Sequence, residues 1–177
     1  IMDEGELTFV LVARGSSDDT YVIGRIAASQ IQQLMVAYKE RFDRNNFFQN
    51  LLLDNLLLVD IYNRAKKLHI EVTVPRVVLI VETEKERDST AAEFLGGLFS
   101  SQSGDFITAI DESSVILIKS LAPGEGYEVV EQTANMIVDM MNTEAMMNVR
   151  VAYGTIVQEL KDVSKSYKEA SLALDVG

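Results

Sequence analysis

Acidic side chains are the plentiful residue type that could do chemistry in this 177-residue chain, which has 27 Asp and Glu, one histidine and no cysteine. Two places gather them. Glu82 and Glu84 follow the apolar run Val77-Val78-Leu79-Ile80-Val81, and Asp111 and Glu112 fill a short turn between two further apolar runs. Carboxylates from two turns that meet suit a hard divalent cation such as Mg²⁺, with a nucleotide phosphate as a further oxygen ligand. A metal-assisted nucleotide site at these four residues is the enzyme reading the sequence offers. Solvated, unconnected turn acids are the simpler one.

Other chemistries lose support quickly. Without cysteine there are no disulfides, thiolate metal sites or thiol nucleophiles. His69, beside Lys66 and Lys67, reads as a cationic partner for a helix C-terminus. Gly96-Gly97 falls inside a helical pattern and Pro123-Gly124-Glu125-Gly126 reads as a turn, so no phosphate-cradling loop is present. Met136, Met140, Met141, Met146 and Met147 read as core filling. No cofactor is expected. The net charge of −11 is the wrong sign for a nucleic-acid surface. It is uneven, because residues 20–70 hold seven basic and four acidic residues, a net of +3. No apolar run reaches the roughly 20 residues of a membrane span, and the acidic start is unlike a signal peptide. A cytoplasmic protein with no membrane partner is expected.

The elements that must position these residues follow from periodicity. Leu7 to Ala13 reads as a strand, and residues 21–69 show helical spacing with no proline. Within that stretch Phe47, Leu51, Leu58, Ile61 and Leu68 fall on a heptad-like register that Asp54 interrupts, the pattern of a dimerisation and signalling seam. One long helix or two remains open at this level. After Pro75 come a strand at 77–81, a helix at 84–101, strands at 106–110 and 115–118, a helix at 126–143, a strand at 149–153 and a helix at 162–176. This β-α-β-β-α-β-α order predicts an α+β fold of the ferredoxin-like split βαβ type with an added terminal helix. Its first and third strands should be central, and these are the uniformly apolar ones.

Several segments together resemble a known family. They are the acidic hairpin, Val149-Arg150-Val151-Ala152-Tyr153-Gly154, Ser166-Tyr167-Lys168-Glu169-Ala170-Ser171-Leu172-Ala173-Leu174, and the lead-in segments Asn46 to Asn55 and Arg64 to Ile70. They look like the GGDEF-like middle domain of bacterial carbohydrate-diacid and purine-catabolism regulators (CdaR and PucR types). The resemblance implies residues 1–45 as the remnant of an N-terminal sensory domain, 46–75 as a connecting and dimerisation helix, and 76–177 as the GGDEF-like domain. It further implies a homodimer, a small-molecule effector held by an N-terminal part outside this chain, and DNA contact through a helix-turn-helix domain that would follow Gly177.

Active diguanylate cyclases are similar in topology but carry Gly-Gly-Asp/Glu-Glu-Phe at the hairpin. The matching segment here is Ala109-Ile110-Asp111-Glu112-Ser113. Glycines let a backbone approach a nucleotide, and an isoleucine in their place crowds it. The expected role is therefore signalling without catalysis.

Overall fold

The structure is a computed structural model that describes residues 2–3, 6–17, 19–83, 89–99, 104–111 and 113–176. The chain divides into two compact units, Ile1–Arg44 and Asn45–Gly177. Helix α1, Asp19–Leu52, is shared between them.

In the first unit, β1 (Met2–Asp3) and β2 (Glu6–Leu7) form a two-residue antiparallel ladder. The strand expected over 7–13 does not form beyond Leu7. A β-run needs a neighbour to pair its backbone, and Thr8 to Ala13 instead lies as irregular chain, with Val10 and Val12 exposed.

The second unit is built on a four-stranded antiparallel sheet. Its strands are β3 (Arg76–Thr83), β4 (Phe106–Ala109), β5 (Ser114–Ser120) and β6 (Val149–Tyr153), in the spatial order β4-β5-β3-β6. The first and third strands of this domain are central, as the apolar runs predict. Every position of β3 from Arg76 to Val81 is buried.

Alternation along β3 and β5 sends side chains to two separate cores. Val77, Leu79, Val81, Val115 and Leu117 face α3 (Ser89–Leu98) and α4 (Tyr127–Thr143), meeting Ala91, Leu95, Val130, Ile137 and Met141. Val78, Ile80, Ile116 and Ile118 face the end of α1, α2 (Leu58–Lys67) and α5 (Val163–Val176), meeting Phe47, Leu52, Ile61, Ala65, Val163 and Ala170. Of the five methionines read as core, Met141 is fully buried, while Met136 and Met146 are exposed.

This second layer corrects the expectation for 46–75. Phe47, Leu51, Ile61 and Leu68 are 1, 2, 6 and 9% exposed within their own domain, so they are not a seam presented to a partner; only Leu58 is on the surface, at 54%. The reason is the sheet itself. Its second apolar face has to be covered, and this segment covers it.

The long helix is also two helices. After Leu52 the Asn55 N–H reaches the Asn50 carbonyl at 2.9 Å and the Asp54 N–H reaches Leu51 at 3.1 Å. Asp54 sits at φ 61°, which makes this a Schellman-type stop. Helix α2 ends the same way, with Ile70 on Ala65 at 2.8 Å and His69 at φ 54°. His69 thus occupies the left-handed position after the helix.

Candidate functional site

The end of the sheet that joins β3 to the 110–113 turn is where the predicted acidic residues should meet. Backbone pairing does bring the two places together. Glu82 is in register with Ser114 on β5 and with Arg150 on β6, and Thr83 N–H donates to the Ser113 carbonyl at 3.0 Å.

The carboxylates themselves are turned to other work. The Glu82 carboxylate accepts from Arg150 Nε at 2.9 Å and Nη2 at 2.5 Å, a cross-strand ion pair at the β6 edge. Asp111 Oδ1 accepts from Ser113 N–H at 2.9 Å, Ser113 Oγ at 3.1 Å and Ser114 N–H at 2.7 Å. One oxygen thus closes the turn, as Asp commonly does through its short side chain. Partial burial pushes the Asp111 carboxyl up, but the Ser113 and Ser114 hydrogen bonds outweigh it and hold the group below the usual carboxylate range. Glu84 and Glu112 lie outside the described residues. Among the described residues, no group of three or more His, Cys, Asp or Glu side chains is placed to hold a metal ion.

The hairpin is also anchored from behind. Ile110, standing where a cyclase has glycine, packs half-buried against the α1/α2/α5 core together with Tyr167. Burial raises the Tyr167 hydroxyl above its ordinary value, and the Asp111 charge adds to it. The last turns of α1 grip β4 and the start of the turn. Gln49 Nε2 donates to the Ala109 carbonyl at 2.7 Å, Thr108 Oγ1 donates to Asn45 Oδ1 at 2.7 Å, and the Phe48 and Phe106 rings stack at 4.2 Å. Sequence reasoning overlooked Asn45 and Gln49. Their only signal is polarity beside Phe47 and Phe48, in helical turns that otherwise enter a core.

A second constellation lies where β6 gives way to α5, and it is built from residues of the sequence resemblance. A Cβ on Gly154 would lie 2.0 Å from the Ser166 carbonyl oxygen, so only glycine lets α5 approach this closely. Ser166, fully buried, accepts the Val78 N–H on Oγ at 3.0 Å, supplying the central strand with an acceptor where β6 has ended. Glu169 accepts the Thr155 N–H at 2.9 Å and the Thr155 hydroxyl as well. Those two bonds, the hydroxyl's first, hold the Glu169 carboxyl below its usual value. Ala170 is fully buried against the same core. Lys168 on the outer side of α5 pairs with Asp54 at 2.7 Å, tying the α1–α2 stop to the terminal helix.

The first unit has its own open groove of about 570 Å³, lined by Leu11, Ala13, Thr20, Tyr21, Gly24 and Arg25 among others.

A split βαβ sheet with an acidic hairpin between its second and third strands, backed by a lead-in helix and a terminal helix, defines a GGDEF-type topology. The chain belongs to the GGDEF-like domain family, which matches residues 55–176, the greater part of its length. A comparison with curated proteins finds no match.

In the described hairpin Asp111 serves the turn, Glu82 serves Arg150, and Ala109 and Ile110 both carry side chains.

Proposed function

We propose that this chain is the non-catalytic signalling and dimerisation region of a bacterial transcriptional regulator of the CdaR or PucR type. In this reading an effector is bound N-terminal to the chain, the GGDEF-like domain relays its presence, and a helix-turn-helix domain beyond the chain contacts DNA. The setting is cytoplasmic, and among the described residues no helix is long and apolar enough to cross a membrane.

The observation that carries the reading is the turn at 110–113. In a catalytic GGDEF domain that turn lends its carboxylates to metal and its backbone to the nucleotide. Here Asp111 satisfies two backbone N–H groups and a hydroxyl of its own turn, and Ile110 is sunk toward the core. A hairpin used in this way is a structural corner. Its neighbour on the relay side is α1, which covalently joins the first unit to the second and holds β4 through Asn45, Phe48 and Gln49. A helix packed in one of two arrangements is a suitable bistable element for such a relay.

Incubation of the protein with GTP or ATP and Mg²⁺ or Mn²⁺, followed by chromatographic analysis, tests the non-catalytic part. Unchanged nucleotide is expected. A cyclic dinucleotide product that disappears with Asp111→Asn would overturn the reading.

A further inference from the structure

The sheet of the second unit has two outer strands, β4 and β6, and their edges are left in different states. We propose that the free edge of β6 takes up an extended, positively charged segment of a partner protein as an added strand. The inference goes beyond the proposed function and stands without it.

Hydrogen-bond parity decides which groups the edge offers. The Gly154 N–H, just past β6, reaches the Val78 carbonyl at 3.1 Å. Every second residue before it, Ala152 and Arg150, therefore turns its backbone groups toward β3 as well. Val149, Val151 and Tyr153 turn theirs outward, and among the described residues no strand pairs with them. At about 3.4 Å per residue the edge is roughly 17 Å long. The same parity turns Ile107 and Ala109 outward on β4, but there Gln49 Nε2 donates to the Ala109 carbonyl at 2.7 Å and the end of α1 lies against the strand. Exposed edges are commonly guarded by a charged side chain, a proline or a bulge. Val149 to Tyr153 has no proline, and its one charge, Arg150, is held by Glu82 at 2.9 and 2.5 Å.

Charge defines the partner. The helix flanking this edge is α4, whose Tyr127 ring lies 6.4 Å from that of Tyr153. Its charged residues are Glu128, Glu131 and Asp139, all exposed, with no Lys or Arg among them. Burial first, and the Glu131 carboxylate next, raise the Tyr153 hydroxyl above its ordinary value, which puts Glu131 beside the last residue of the edge. Residues 45–177 carry 20 acidic and 11 basic side chains, a net of −9. A second copy paired antiparallel about a two-fold axis would set its own acidic α4 beside this one. An extended cationic segment meets opposite charge instead, and its backbone supplies the donors and acceptors that the outward groups need.

Fluorescence anisotropy of a labelled octapeptide of alternating valine and lysine, titrated with the full chain, tests this. Saturable binding with a Kd below about 1 mM is expected. A Val-Glu counterpart should bind at least tenfold more weakly. So should a Val-Lys peptide N-methylated throughout, which keeps the charge but has no backbone donors. Val151→Pro removes an outward N–H and no bond to β3, so it should weaken binding at least tenfold while the urea transition of the GGDEF-like unit stays in place. If that variant loses the transition, Glu128→Lys with Glu131→Lys is measured, with the same tenfold loss expected. Absence of saturable binding overturns the inference. Equal binding of the N-methylated peptide, or by a folded Val151→Pro chain, overturns it too, because charge alone would then hold the peptide. A chain that self-associates at the titration concentrations and becomes monomeric with Val151→Pro gives the edge to a second copy and overturns the cationic partner.

Discussion

The two halves of α1 carry similar residues and meet opposite fates. From Ile23 to Phe42 most of its large apolar side chains stand more than half exposed, with Ile31 and Met35 partly covered, whereas Phe47, Phe48, Leu51 and Leu52 are 0 to 4% exposed. Local pattern cannot separate them, because both halves show helical spacing of apolar residues. What differs is the neighbour: the second half meets a sheet face made by Val78, Ile80, Ile116 and Ile118, whereas among the described residues of the first unit no hydrophobic side chain is buried. Burial is a property of the tertiary partner, and only the amphipathic potential belongs to the helix.

The largest expected break between the halves is in stability. Leu52→Ala empties a fully buried position and should cost about 3 to 5 kcal/mol in urea unfolding. Leu34→Ala, on the exposed half, should stay within about 0.5 kcal/mol for the same transition. Next comes Gly154→Ala, which sets a Cβ against backbone and should cost about 3 kcal/mol. Ser166→Ala leaves the Val78 N–H buried without its acceptor and should cost about 2 kcal/mol. If Ser166→Ala proved neutral, the junction of β6 with α5 would not be the clasp described above.

The acid limb should show the smallest effect. Asp111 and Glu169 are held below the usual carboxylate range in the fold, so the unfolded chain binds more protons in that window. Their contribution is present above the unfolded value of about 4 and is lost as pH falls through the folded values. Glu169→Gln should flatten the fall in stability below about pH 4, as followed by urea midpoints across pH. An unchanged acid limb would mean that the Thr155 bonds do not persist in solution.

The sheet was legible because its strands differ in kind: Val77 to Val81 is an unbroken apolar run, and Val149 to Tyr153 alternates, which places one at the centre and the other at an edge. The helix stops were not legible. Asp54 and His69 both take the left-handed position where glycine is the usual signal, so nothing in residue type announced them. Of the positions that the heptad-like spacing suggested as a partner seam, Phe47, Leu51, Ile61 and Leu68 are buried against the chain's own sheet and Leu58 is exposed, a choice of neighbour that spacing alone does not encode.

The candidate site divides in a similar way. Pairing of β3 with β5 was foreseeable from topology, so the meeting of Glu82 with the turn was too. The engagement of Glu82 by Arg150 depends on the β3–β6 register, which residue type does not encode. The Gly154, Ser166, Glu169 and Ala170 positions carried the family resemblance without a reason. The structure supplies one, since they hold α5 against the sheet.

The hairpin is proposed to be a structural corner and not a nucleotide site. Calorimetric titration of the protein with GTP in the presence of Mg²⁺ tests it most directly. At protein concentrations able to detect a Kd of roughly 100 μM, an affinity of about −5.5 kcal/mol, no binding heat is predicted. Saturable binding that is abolished by Asp111→Asn would contradict the account and make the acidic turn a working site.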